Sequence, residues 1–240
     1  MAIHHDKKAY GKLAPLSEDF SEDKLLKMVE KIENEKTEYE KMINGELYNA
    51  GDSELSAKRK RARQLFKEFN DTTEDELEKR YKIACELLGS HGKFFYFEPP
   101  FRFDYGINTH IGEDVFANFN LTILDCAPVK IGNQVFIGPN VTIATPVHPL
   151  LACDRNMRVA KDGSKFDYEY AKPIIIEDNV WLASNVTVCG GVTIGHDSVI
   201  GAGSVVTKDI PAGVLAAGVP CKVIRELTPE DKMKMPKESY

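Results

Sequence analysis

Six histidines are scattered through the 240 residues, and one of them stands apart. His148 lies in "TIATPVHPLL" (142–151), between Pro146 and Pro149, at a point where a spacing kept on both sides of it breaks down. Proline fixes its own backbone and restricts the residue before it, so an imidazole flanked in this way is held in place. Imidazole titrates near neutral pH, which suits it to taking a proton from a hydroxyl nucleophile. The other five read as bystanders: His4 and His5 near the start, His91 in the turn "GSHGK", and His110 and His196 at turns of the repeat. The five cysteines (85, 126, 153, 189 and 221) are widely spaced, form no C-x-x-C and have no base beside them. They read as free thiols of a reducing compartment, not as a disulfide framework, a zinc site or an acyl-enzyme nucleophile. A catalytic metal would need further histidines near His148, and "HPLLACD" supplies none, so no metal is expected.

The elements that must hold His148 are written in a period of six. Ile111, Ala117 and Ile123 are six apart, then Ile131, Ile137 and Ile143, and from Ile176 the series runs through Leu182, Val188, Ile194, Ile200 and Val206. Four residues after most of these comes a second small or β-branched residue, such as Val115, Val135, Val141, Val180, Val186, Val192, Ser198 or Ser204. This spacing predicts a hexapeptide parallel β-helix, each hexad one short strand and one tight turn, with the leading aliphatic stacked inward on its equivalents. Glycine and asparagine at the corners suit turns that need positive φ. Eight residues separate Ile123 from Ile131, and 33 separate Ile143 from Ile176. The second gap predicts a protruding loop over about 149–172, with His148 at its departure point.

Residues 21–90 read as helix. Leu25, Leu26, Val29 and Ile32 share a face after Ser21. Thr37 with Glu40 makes a capping box, Ser53 opens a helix with the stripe Ala62, Leu65, Phe66 and Phe69, and Thr73 with Glu76 repeats the box before Leu77, Tyr81, Ala84 and Leu88. The expected organisation is a partly helical extension over 1–36, a helical region over 37–93, the β-helix over 94–227 and a tail over 228–240. A net charge of −6 argues against nucleic acid or an anionic membrane as partner, and no stretch approaches 18 apolar residues. With no apolar segment near the start, the expected location is the cytoplasm.

Several stretches, in order along the chain, resemble the maltose and galactoside O-acetyltransferases, which are hexapeptide-repeat acyltransferases. They are "INGELYNAGDSEL", "FRFDYG", "VFANFNLTILD", "IGPNVTI…HP", "KPIIIEDNVWLASNVTV" and "VIGAGSVVTKDIPAGVLAAGVPCKVIREL", and the resemblance spans about residues 38–228. It implies a left-handed β-helix, a homotrimer with sites at subunit interfaces, acetyl-CoA as donor and a sugar hydroxyl as acceptor. It places His148 as the general base, Asp104, Asn118, Asp125 and Cys126 at the acceptor, and Asn118, Ser184, Ala202, Thr207, Lys208, Lys222 and Arg225 at coenzyme A. Ser184 is expected to act through its backbone N–H on the oxyanion. Where the galactoside branch carries a second acidic residue after "VD", this chain has "LDCAP", and "WLASN" replaces the commoner "WIG". The acceptor therefore stays open among maltose, glucose and galactosides. An antibiotic O-acetyltransferase of the same fold and a non-catalytic trimeric scaffold are the competing readings.

Overall fold

In the computed structural model, residues 36–234 are described; the expected helix over 21–32 lies outside them. The six-residue period closes into a left-handed parallel β-helix with three flat faces. The first face stacks Thr109–Ile111, Val129–Ile131, Ile174–Ile176 and Thr193–Ile194. The second stacks Phe95–Phe97, Val115–Ala117, Phe136–Ile137, Trp181–Leu182, Val199–Ile200 and Val214–Ala217, and the antiparallel strand Lys222–Glu226 closes it. The third stacks Phe101–Phe103, Leu121–Leu124, Thr142–Ala144, Thr187–Cys189 and Val205–Val206.

Each coil sits in register on the next, so Ile111 pairs with Ile131, and Leu182 with Ile137 and Ile200. The leading aliphatics fill the axis, with Ile123, Ile143, Leu182, Val188, Ile194 and Val206 all at 0% exposure. The second small residue of each hexad is buried beside them, including Ser198 and Ser204, whose hydroxyls donate to the Pro211 and Gly201 carbonyls.

The corners divide two duties that the sequence reading assigned together. Positive φ falls three residues after the aliphatic, at Asp114, Asn120, Gln134, Asn140, Asn179, Asn185 and Asp197. Short polar side chains tolerate this left-handed conformation by bonding locally. Glycine directly after the aliphatic serves closeness instead: a Cβ on Gly132 would lie 2.7 Å from the Asp178 backbone nitrogen of the next coil.

Among the described residues, three helices precede the coil: α1 (Glu38–Ile43), α2 (Ser53–Asn70) and α3 (Leu77–Leu87). The Thr37–Glu40 box is formed in both directions at the start of α1. The cap of α2 is Asp52, whose carboxylate accepts from the Glu54 and Leu55 backbones, so Ser53 is already helical. Glu76 does reach back to the Thr73 backbone, yet α3 begins only at Leu77, and the inward face differs from the expected one. Arg80, Ile83, Ala84 and Leu87 are buried, whereas Leu77 is 50% exposed. Arg80 takes the inward position because its guanidinium finds Thr72 Oγ1, Tyr96 Oη, the Thr73 carbonyl and Glu74. A buried cation needs such partners, and a reading by apolar residues passes over it. The helices plug the lower end of the coil, with the Phe69 and Phe101 rings 4.2 Å apart, and the described residues from Thr37 onward form one compact unit.

Candidate active site

The coil is interrupted twice at the corner between the third and first faces, and both interruptions serve the same place. After Ala144 the chain leaves the coil through the short strand Pro146–Val147, somewhat earlier than the repeat spacing suggested. It passes a short helix, α4 (Ala152–Arg155), and the hairpin Arg158–Val159 with Lys165–Phe166. It returns along Tyr168–Ala171, which pairs antiparallel with Pro146–Val147 on one side and with Tyr48–Asn49 on the other. The returning strand is thus central in a three-stranded sheet that ties the N-terminal helical region to the segment bearing His148.

His148 follows Val147 directly, and its side chain is half exposed. Its Nε2 stands 3.5 Å from Glu169 Oε2, and its Nδ1 stands 4.0 Å from Asp167 Oδ2. The other oxygen of Glu169 accepts a 2.5 Å hydrogen bond from the hydroxyl of Tyr48, which is fully buried. Burial, with the neighbouring Cys126 and Glu169, pushes the Tyr48 hydroxyl far above the usual phenol range, so it remains a donor. Cys126 lies against the same hydroxyl, and its thiol reaches Asp104 Oδ2 at 3.7 Å. A continuous polar chain therefore runs from His148 through Glu169, Tyr48 and Cys126 to Asp104.

Asp104 is half-buried, and desolvation raises its pKa despite the opposing Cys126, Arg59 and Arg63. Cys126 is 4% exposed, and burial raises its thiol strongly, which leaves it protonated and a poor nucleophile. Asp125 is fully buried. Its carboxylate accepts from the Tyr105 backbone at 2.8 Å, the Asn108 backbone at 3.2 Å and Thr109 Oγ1 at 3.1 Å. That arrangement buries Asp125 under the 105–109 turn, which it holds, with no exposed surface of its own.

Asn118 sits elsewhere, at the corner between the second and third faces. Its Oδ1 accepts from the Phe119 backbone at 2.8 Å, and its Nδ2 has no partner among the described residues. Ser184 and the exposed Ala202 occupy the same corner in higher coils. Thr207 and Lys208 are exposed at the His148 corner, farther up. Lys222 and Arg225 lie on the closing strand of the second face, where Arg225 already holds Asp231 through two 2.7 Å bonds. One chain therefore gathers Asp104, Cys126 and His148 but keeps them a whole prism face away from Asn118, Ser184 and Ala202. The outer side of the second face carries Phe136 and Trp181 side by side, both more than half exposed.

Sequence reading missed Tyr48, Asp167 and Glu169. Alternation in "FDYEY" was available as a signal, since residues two apart on a strand share a side. Tyr48 had no such signal, because its partner lies 121 residues away. Among the described residues, no group of three His, Cys, Asp or Glu could hold a metal ion.

Two family models match the chain: the maltose acetyltransferase hexapeptide capping motif over residues 41–92, and the bacterial transferase hexapeptide (six repeats) over 173–208. The galactoside O-acetyltransferase of Escherichia coli strain K12 is 45% identical over 193 residues, covering 80% of this chain and 91% of that one. The crystal structure of a maltose O-acetyltransferase from Clostridium difficile 630 superposes with a TM-score of 0.76 at 45% identity, over 81% of this chain and 100% of that one. A galactoside acetyltransferase in complex with coenzyme A gives 0.76 at 44% identity, over 85% and 98%.

Proposed function

The chain belongs to the maltose and galactoside O-acetyltransferases, and from that premise we propose how its own residues carry out the transfer. It is an acetyl-CoA-dependent sugar O-acetyltransferase. Its difficulty is chemical: an alcohol is a weak nucleophile at neutral pH. His148 takes the proton of the acceptor hydroxyl as the oxygen forms its bond to the thioester carbonyl carbon. The tetrahedral oxyanion then collapses, the carbon–sulfur bond breaks, and the proton passes from the imidazolium to the departing thiolate. No acyl-enzyme is needed, in keeping with the buried, protonated Cys126.

The observation that carries this reading is the position of His148. It stands half exposed where a rigid coil opens, with a carboxylate on each side of its ring. Glu169 orients the ring and stabilises the imidazolium that forms during transfer, as carboxylates do beside catalytic histidines. Asp104, on the same corner, is the contact we assign to the sugar. Asn118 and the Ser184 backbone N–H are assigned to the donor and the oxyanion, with Ala202, Thr207, Lys208 and Lys222 along coenzyme A. Arg225 keeps Asp231 as its partner and meets the coenzyme only if that pair opens.

Because these two groups lie at different corners, the complete site needs a second copy of the chain, and a homotrimer supplies it with the corner of one subunit facing the next. The five free thiols fit a reducing compartment, so the cytoplasm is the location we propose.

The test is release of coenzyme A from acetyl-CoA against a panel of glucose, maltose, galactosides and hydroxyl-bearing antibiotics. His148→Ala is expected to lower kcat by about 10²–10⁴-fold, the usual contribution of a general base, with folding unchanged. Full activity in that variant would refute the mechanism, and turnover confined to antibiotics would refute the sugar acceptor.

A further inference from the structure

We propose that Tyr48, contributed by the N-terminal helical region, is a positioning residue for the transfer step, fixing Glu169 so that one carboxylate oxygen faces His148. This rests on the reading of His148 as the base. A carboxylate on a flexible side chain can present either oxygen to either neighbour. Here the two are sorted: Oε1 is gripped by the Tyr48 hydroxyl at 2.5 Å, and Oε2 is turned to the imidazole at 3.5 Å. The grip is firm for three independent reasons. The hydrogen bond is short and charge-assisted, of the class that is strongest in proteins. The Tyr48 ring is fully buried, packed in the cluster that holds Met42, Leu55 and Tyr105, so it has no freedom to swing away. The backbones of the two residues are themselves paired in register, Tyr48 opposite Glu169.

The returning strand also pairs Val147 with Tyr170, and the same antiparallel register carried one residue on brings His148 opposite Glu169. Tyr48 is therefore the outer support of a three-part line, phenol to carboxylate to imidazole, in which only the last member reaches the substrate. Its side chain also touches Cys126, which in turn meets Asp104, so the same hydroxyl abuts both halves of the acceptor wall. On this reading the helical region does more than close the end of the coil. It sets the orientation of the base.

Three variants and two spectroscopic readouts test this. Tyr48→Phe keeps the ring and removes only the hydroxyl. It is expected to lower kcat on the order of 10- to 100-fold, as small misplacements of catalytic groups do, with KM for acetyl-CoA and for the sugar within about twofold. Glu169→Gln is expected to show a similar loss, and the double variant to be no worse than Glu169→Gln alone, because Tyr48 acts through Glu169. The imidazole ¹⁵N resonances of His148 report its tautomer without any turnover, and Tyr48→Phe is expected to shift them. Wild-type kcat in a folded Tyr48→Phe protein, or losses that multiply in the double variant, would overturn the proposal.

The two readings fail separately. An active His148→Ala protein, together with a shifted tautomer in Tyr48→Phe, would sink the base and any part of Tyr48 in the transfer, while leaving Tyr48 as the group that orients the imidazole. An inactive His148→Ala protein with Tyr48→Phe unchanged in both kcat and tautomer would do the reverse. Should Tyr48→Phe not fold, the wild-type protein still answers. The Tyr48 hydroxyl proton is expected as a far-downfield resonance that disappears in Glu169→Gln, and its absence from the wild-type spectrum would also overturn the proposal.

Discussion

Asp125 shows how a single carboxylate can shape the site from behind. Three internal donors converge on it, two of them backbone N–H groups of the turn that follows Asp104. Turn geometry at Tyr105 fixes the phenol that accepts a 2.6 Å bond from Arg59, and this guanidinium also holds the Ala50 carbonyl at 2.6 Å. Burial outweighs these donors and pushes Asp125 up to about 6, above the ordinary aspartate value of 3.8. The native state therefore binds a proton that the unfolded chain has already released between those two values. Stability from this group is fully present below about pH 4 and is lost as pH rises through 6, an effect on the order of 3 kcal/mol. Denaturant unfolding of the wild type and of Asp125→Asn across pH 4–8 should show it as a difference. The wild type is expected to lose stability relative to the variant with rising pH, and parallel curves would show that Asp125 does not titrate in this range.

At the scale of the element, the coil depends on how closely successive turns approach. Gly138 is a case in which only backbone stands in the way: a Cβ there would lie 2.8 Å from the Ser184 backbone nitrogen and 2.9 Å from the Ala183 carbonyl carbon. Backbone cannot move aside as a side-chain tip can. Gly138→Ala is therefore expected to cost about 1–3 kcal/mol, the usual penalty for overpacking, measured by chemical denaturation. An unchanged midpoint would show that the coils can separate at this corner. The same closeness explains why the coil was legible in the sequence. Every sixth residue must be apolar to fill the axis, and the next must often be glycine, so Ile137 and Gly138 announce themselves locally. His148 was legible for the converse reason, because it stands where that count stops. What stayed hidden depends on contacts between distant segments. Nothing near Tyr48 says that it will pair with Glu169, and nothing near Arg80 says that Thr72 and Tyr96 will satisfy its guanidinium in a buried position. Nothing near Asp125 says that it will be buried against the 105–109 turn, since its partners lie 16 to 20 residues earlier in the chain.

At the scale of the whole molecule, the prism separates the groups that the proposed mechanism brings together. His148 and Asp104 belong to the corner between the third and first faces, while Asn118 and Ser184 belong to the corner between the second and third. No rearrangement of side chains within one rigid coil closes that distance. Association does so if the first corner of one subunit meets the second corner of its neighbour, the head-to-tail arrangement that closes into a cyclic ring. This makes a sharp prediction for mixed assemblies. His148→Ala and Asn118→Ala chains are each expected to be nearly inactive alone. Unfolded and refolded together in equal amounts, they form some interfaces that take His148 from one chain and Asn118 from the other. Random mixing in a closed ring leaves about a quarter of the interfaces with both groups intact, so about a quarter of wild-type activity should return. Mixing the folded proteins without dissociation is the control and should return nothing until subunits exchange. If co-refolding restores no activity while mixed oligomers are present, both residues serve one site from one chain, and the shared-interface site proposed for this enzyme is wrong.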